Sequence, residues 1–294
     1  MDDAMPIGDV RRFNRTVTER VGALNDHYLG RDRALGEARV LWEIGEDRCD
    51  VRVLRSRLEI DSGYLSRLLR SLERARLITV GASERDKRVR TARLTRKGRA
   101  ERALLDGRSD ALARSMLEPL TNAQRERLIS AMRDVERLLT AALVHIDAVE
   151  PTHRHAQHCL AEYYAELDRR FDRGFDPAGS LPADLDDMRP PRGVFVVATL
   201  RGDAIGCGAL KVHANEPTEL KRMWVAPAAR RLGVGRRLLA ELERRAVERG
   251  SNMIRLETNK ALTEAIAMYR AAGYREVRAF NDERYADYWF EKRV

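Results

Sequence analysis

A chain of 294 residues has room for about two domains at roughly 100–200 residues each, so a single small stapled module is excluded. Its formal net charge of +9 is shared between the halves, but residues 51–100 alone hold 15 basic and 5 acidic side chains. That concentration suits a nucleic-acid footprint. The three cysteines, Cys49, Cys159 and Cys207, are far apart and odd in number, which argues against a disulfide scaffold and for a reducing compartment. The longest largely apolar stretch, 194–200, falls short of the ~20 residues of a membrane span, and the start Met1-Asp2-Asp3 lacks the order of a signal peptide. A cytoplasmic protein without a membrane anchor is therefore expected.

In chain order, Val10, Phe13, Val17, Val21 and Leu24 recur at helical spacing. Leu128, Met132, Val135, Leu139 and Ala142 do the same in a helix that opens at Thr121 after Pro119. Between them the pattern predicts short helices over 37–45 and 51–58 and a longer one over 62–76. In the longer helix Leu65, Leu68, Leu69 and Leu72 form the inner stripe and leave Ser62, Gly63, Ser66, Arg67 and Arg70 outside. Short hydroxyls and arginines near a helix N-terminus suit a reader of a DNA groove, although an ordinary solvated face has the same pattern. Residues 77–83 and 89–94 read as strands joined by a turn at 84–88. From Arg85 to Arg99 eight basic residues stand against one acid, Asp86. Like charges so placed repel, and a hairpin tip of this kind fits a minor groove beside a recognition helix.

These features resemble the winged helix-turn-helix of the MarR regulator family over about residues 10–142. The matching strings are Leu65-Ser66-Arg67, Leu72-Glu73-Arg74, Asp86-Lys87-Arg88 and Leu94-Thr95-Arg96-Lys97-Gly98. The resemblance implies binding of double-stranded DNA through Ser62, Ser66, Arg67, Arg70, Arg85, Asp86, Lys87 and Arg88. Asp86 would hold Arg88 for the minor groove, and the first and last helices would build a homodimer. One departure is Arg76, where the family usually has glycine; a left-handed backbone there costs a non-glycine residue ~1 kcal/mol.

The second half opens with a strand near 144–148, a helix over about 152–171 and a Pro/Asp/Gly-rich stretch to Gly193. Strands at 193–200 and 204–212 flank Gly202-Asp203, a hairpin-closing dipeptide. Then come a strand at 219–225, a helix at 233–249, a strand at 253–258, a helix at 263–272 and a last pair at 275–280 and 285–292. Arg230-Arg231-Leu232-Gly233-Val234-Gly235 follows a strand and opens a helix. Two glycines admit a ligand to the backbone, and the free N–H groups of a helix N-terminus favour an anion such as a pyrophosphate; a tight turn is the other reading of the glycines. Leu238 stands where a dinucleotide fingerprint needs its third glycine, and no Gly-Lys-Ser/Thr follows. His153, His155 and His158 look like a metal cluster but start a helix without a completing cysteine, and no metal is expected.

The glycine string resembles the acetyl-CoA motif of the GNAT N-acetyltransferases over about residues 143–294. Supporting strings are Glu219-Leu220-Lys221-Arg222-Met223-Trp224-Val225, Leu256-Glu257-Thr258-Asn259, Ala265-Ile266-Ala267-Met268-Tyr269 and Ala272-Gly273-Tyr274. The resemblance implies an acetyl-CoA site built from Met223, Trp224, Val225, Arg230, Arg231, Leu232, Gly233, Val234, Gly235, Arg236 and Asn259. By the same analogy Tyr269 protonates the departing thiolate, or else packs on the sheet. Glu219 is the implied base for the acceptor amine, or else a charged strand residue or a hook for a cationic substrate. The expected protein is multi-domain: a mainly-α winged helix-turn-helix domain over 1–142, followed by an α/β GNAT acyl-CoA N-acyltransferase domain with a mixed sheet over 143–294. It would join transcription regulation to acetyl transfer from acetyl-CoA to an amine. Two alternatives are a DNA-binding regulator whose second domain is a non-catalytic ligand sensor, and an acetyltransferase whose first domain only dimerises it.

Overall fold

The computed structural model describes residues 6–25, 27–45, 48–83, 86–180, 185–213 and 216–294. The chain divides into two compact units, Met1–Ala131 and Met132–Val294.

The first unit is mainly helical: α1 (Ile7–Arg20), α2 (Leu35–Ile44), β1 (Arg48–Asp50), α3 (Val51–Leu58), α4 (Ser62–Arg74), β2 (Ile78–Ala82), β3 (Arg90–Leu94), α5 (Arg96–Leu117) and the start of α6 (Asn122–Ala142). Helix α4 begins at Asp61, whose carboxylate accepts the N–H of Tyr64. It buries Leu65, Leu68, Leu69 and Leu72, the four residues of the predicted stripe, against Ala38, Leu41, Leu54 and Leu94. The helix closes two residues earlier than expected. Arg76 takes φ +61°, and the N–H of Leu77 reaches back to the carbonyl of Leu72 at 2.9 Å, so the chain turns through a left-handed residue that is not glycine. The string from Leu94 to Gly98 braces that turn. Thr95 donates to the Arg76 carbonyl at 2.8 Å and caps α5, Lys97 reaches the Ala75 carbonyl at 3.0 Å, and a Cβ on Gly98 would fall 1.9 Å from the Leu77 carbonyl oxygen. Strand β3 lies between β1 and β2 in an antiparallel three-stranded sheet. Two elements here, β1 and α5, carry no sequence expectation.

The second unit holds a seven-stranded mixed sheet in the order β4-β5-β6-β7-β8-β10-β9. Its elements are β4 (Val144–Ala148), α7 (Arg154–Arg170), β5 (Gly193–Leu200), β6 (Asp203–Lys211), β7 (Thr218–Val225), α8 (Val234–Glu248), β8 (Met253–Thr258), α9 (Thr263–Ala271), β9 (Arg275–Val277) and β10 (Tyr288–Arg293). Helix α7 covers one face through Ala156, Cys159 and Leu160 on Phe195, Val197 and Cys207. Helices α8 and α9 cover the other, where Leu238, Leu239, Leu242 and Ile266 meet Val196, Leu210, Ile254 and Phe290. The hairpin between β5 and β6 turns on Arg201-Gly202, both at positive φ, with Leu200 paired to Asp203; the turn is one residue earlier than the sequence suggests. His153 caps α7 by accepting the N–H of His155, which gives that histidine a structural use. Among the described residues no group of three or more His, Cys, Asp or Glu is placed to hold a metal, and no helix is long and apolar enough to cross a membrane.

Candidate functional site

The site of the second unit begins with a failure of strand pairing. β7 and β8 run parallel but pair only at Thr218–Ile254 and Glu219–Arg255, and beyond Glu219 they part. On the other side of β7, its register with β6 shifts between Cys207 and Ala209, and Arg222 takes φ +57° at the bulge. The N–H of Ala226 crosses to the Ile205 carbonyl at 2.9 Å. Because successive strand amides point to opposite edges, the N–H of Val225 is aimed away from β6 into the gap.

The loop after β7 lies at that gap. Arg231 and Gly233 both have positive φ, at 68° and 77°, and Gly233 is the N-cap of α8 with no side chain capping it. The first-turn amides therefore have no side-chain acceptor, and the helix dipole adds positive potential. A side chain at Gly235 would put its Cβ 3.0 Å from the Met268 sulfur. These features bound a cleft of about 360 Å³ lined by Met223, Trp224 and Val225, by Arg230, Arg231 and 233–236 of the loop, and by Met268 and Tyr269 of α9. Bare helix amides, two exposed arginines (Arg231 and Arg236) and an apolar wall suit a ligand with a diphosphate and a long arm.

The other expected cofactor residues divide by their contacts. Leu232 packs against the hydrophobic core. Arg230 lines the cleft but donates to the Val225 carbonyl at 3.1 Å and to Glu166 Oε1 at 2.6 Å. Trp224 turns its indole N–H to Glu166 Oε2 at 3.0 Å, and Arg170 donates to Oε1 at 3.1 Å. Burial alone would raise the Glu166 carboxyl, but its hydrogen bonds from Arg230, Arg170 and Trp224 outweigh that and hold it below the usual range. Glu166 thus fixes both the loop and the strand end, a role its sequence context did not signal, because its partners lie 58 and 64 residues away. Asn259 donates to the Tyr285 carbonyl at 2.7 Å and lines a second cavity instead of the cleft.

That second cavity, of about 80 Å³, shares Tyr163, Leu167, Met223, Leu262, Ala265 and Tyr269 with the cleft. Tyr269 is buried beside Tyr274 and Phe290, with ring centroids at 5.8 and 6.2 Å. Burial pushes its phenol well above the ordinary value, and pushes Tyr163 up to about 12, so both keep their protons at neutral pH. Glu219 lies outside the lining of both cavities. It accepts from Arg255 Nη2 at 2.9 Å and pairs with Lys221 Nζ at 3.1 Å. Burial would raise its carboxyl, but Lys221 and Arg255 hold it below the usual range.

In the first unit, Ser62, Arg67 and Arg70 are exposed on α4 and Ser66 is half-buried. Arg67 lies 5.6 Å above the Tyr64 ring, and Arg70 Nε donates to the Ser66 carbonyl. At the hairpin, Asp86, Lys87 and Arg88 are exposed. The Asp86 carboxylate accepts the backbone N–H of Arg88 at 2.9 Å, so it orders the turn through the main chain. Arg85 lies outside the described residues. Helix α1 has no buried residue, and Val10, Phe13 and Val17 stand exposed along it.

Residues 150–274 match the family described as the acetyltransferase (GNAT) family, and residues 29–89 match the MarR family. Among curated proteins, the IAA acetyltransferase of Azospirillum brasilense is 34% identical over 119 residues, which span 40% of this chain and 78% of that protein. Among solved structures, a GNAT-family acetyltransferase from Staphylococcus aureus Mu50 is 20% identical, covering 51% of this chain and 99% of its own at a TM-score of 0.44. A GNAT-family acetyltransferase from Elizabethkingia anophelis, solved with acetyl-CoA bound, is 17% identical over 52% and 99% of the two chains at a TM-score of 0.38.

Proposed function

The chain belongs to the GNAT acetyltransferase family, an N-acetyltransferase unit preceded by a MarR-family segment, and from that premise we propose that it transfers an acetyl group from acetyl-CoA to an amine and regulates transcription by binding DNA as a homodimer. We divide the two activities at residues 142 and 143, place both in the cytoplasm, and assign the chemistry to the cleft and the cavity that meet at Met223 and Tyr269.

Acetyl-CoA, the acyl donor of the family, supplies an activated thioester. The amides opening α8, with Arg231 and Arg236, would hold its diphosphate, and the backbone of Met223 and Val225 its pantetheine arm. The Val225 N–H is aimed where a thioester oxygen gains charge, the position in which a fixed donor contributes most. In the exchange the acceptor nitrogen loses a proton and the sulfur gains one. Tyr269, protonated and shared by the two cavities, would provide the proton that the sulfur takes up. Glu219 lines neither cavity, so its proposed base role requires water between it and the amine.

The observation that carries the reading is the continuity of the anion-binding cleft with the second cavity through Met223 and Tyr269. Release of free CoA on addition of an amine is the test. Tight acetyl-CoA binding without release in any amine panel would make the second unit a sensor. For the DNA module, the exposed face of α4 and the basic hairpin would read a duplex, and the exposed stripe of α1 would pair two copies; salt-dependent binding of duplex DNA as a dimer checks this.

A further inference from the structure

Resting on the acetyltransferase reading, we propose that the acceptor is an α-amino acid with an aromatic side chain, its carboxylate held by Arg222. The second cavity has two neighbouring cations in its lining, Lys221 and Arg222. They differ in their partners. Lys221 is buried between the carboxylates of Glu219 and Glu257. Arg222 has no carboxylate within ion-pair distance among the described residues; its guanidinium interacts with the Tyr163 hydroxyl, and its Nε is buried without an acceptor. A guanidinium beside a cavity with no carboxylate of its own leaves a charge unmatched, and a ligand carboxylate reaching its terminal nitrogens would match it.

The backbone and the neighbouring rings fix that guanidinium. Arg222 occupies the β7 bulge at φ +57°, its carbonyl accepts from Cys207 Sγ at 3.2 Å, and its guanidinium carbon lies 5.3 and 5.9 Å from the ring centroids of Tyr164 and Tyr163. Met223 follows immediately and forms the shared wall with the acetyl-CoA cleft. An amine one carbon from a carboxylate on Arg222 is thereby kept beside that wall.

Beyond Tyr163 and Tyr269, three aromatic rings line the cavity beside polar residues that include the carboxylates of Glu257 and Glu283; the first is paired to Lys221 and the second accepts from Ser180. Phe171, Phe175 and Tyr285 form a closed set with centroid separations of 5.8, 5.9 and 4.8 Å. The inner space of about 80 Å³ is suited to the amino and carboxyl end alone. Phe171 and Tyr285 also line a neighbouring basin of about 410 Å³, so a flat side chain can pack against the outer surface of this ring cluster and continue into that basin. A protein lysine would bring an amine on an aliphatic stem with no carboxylate beside it, and would leave Arg222 unmatched.

The test compares CoA release with L-phenylalanine, phenethylamine and a lysine-containing peptide, alongside calorimetric binding of L-phenylalanine. Wild type should favour the amino acid over its decarboxylated analogue by about 10- to 100-fold in kcat/KM, and Arg222→Gln should bring that ratio close to one. L-Phenylalanine binding should weaken at least about 10-fold in the variant. Equal use of phenethylamine, preference for the peptide, or an unchanged ratio in Arg222→Gln would overturn the assignment. If the variant fails to bind acetyl-CoA, as a misfolded one would, the wild-type ratio decides alone. Turnover of some other amine with acetyl-CoA binding intact would reject this acceptor and leave the acetyltransferase reading standing; absence of acetyl-CoA binding in wild type would reject both.

Discussion

Glu166→Gln isolates the contact that holds the loop before α8, the proposed acetyl-CoA loop. The glutamate accepts hydrogen bonds from Trp224, Arg230 and Arg170. An amide retains one acceptor oxygen and turns an NH₂ toward a set of donors. The Trp224 N–H can keep its partner, while Arg230 and Arg170, 35% and 26% exposed, recover part of their loss from water. One charge-assisted bond fully lost and a second weakened amount to ~2–3 kcal/mol. In a unit of this size that lowers the melting temperature by about 5–10 °C. Thermal unfolding at a series of pH values reads both size and cause. Because the folded carboxyl lies below its ordinary value of ~4.3, its stabilisation is complete above that pH and is lost as the pH falls through the depressed folded value. The gap between wild type and variant should therefore be level from pH 7 to about 5 and narrow on further acidification. A shift below about 2 °C at pH 7, or a gap that widens in acid, would refute the assignment.

Gly235→Asp should abolish acetyl-CoA binding by calorimetry, since it brings a carboxylate to the proposed diphosphate position and a Cβ to 3.0 Å from Met268. Arg76→Gly should raise the melting temperature of the first unit, because relief of a left-handed arginine is worth up to ~1 kcal/mol. Arg67→Ala should cost ~1–3 kcal/mol at one position of the DNA site, whereas Arg88→Ala should weaken all sequences alike and flatten the salt dependence; footprinting and salt titrations separate the two. Glu219→Gln should lower kcat about 10²-fold at pH 7 with a deficit that narrows as pH rises and solvent deprotonates the amine. A deficit independent of pH would reassign Glu219 to anchoring Arg255 and Lys221.

What could be read from the sequence was what local pattern determines. β5 begins near the expected residue because it is an apolar run, β4 and β8 because apolar and polar residues alternate along them, and the α4 stripe follows from leucine spacing alone. Helix α5 escaped because its 22 residues bury only Gly98, Glu101 and Leu105, too few for a stripe. β1 is three residues long and exists through its pairing with β3. The site divides in the same way. The glycine loop has a local signature, while the Arg222 bulge, the Glu166 hub and the ion pairs of Glu219 depend on residues brought together by the sheet.

The loss of pairing between β7 and β8 links these non-local features to the chemistry. Glu219 and Arg255 are the last paired residues before the strands diverge, and they are also joined through their side chains. Their ion pair, extended through Lys221 to Glu257, holds together the narrow end of a wedge whose wide end is the site. A carboxylate used in this way is ionised at neutral pH and adjoins the Leu220 and Lys221 wall of the second cavity, yet its proton affinity is lowered by the cations that hold it. Tyr163, half-buried, and Tyr269, buried, carry phenols at the wide end that are protonated at neutral pH, and desolvation raises both further. The wedge thus separates a fixed carboxylate from fixed hydroxyls along one strand gap. A proton leaving an amine at the narrow side and a proton arriving at sulfur on the wide side would follow different routes, so Glu219→Gln and Tyr269→Phe should give different pH profiles.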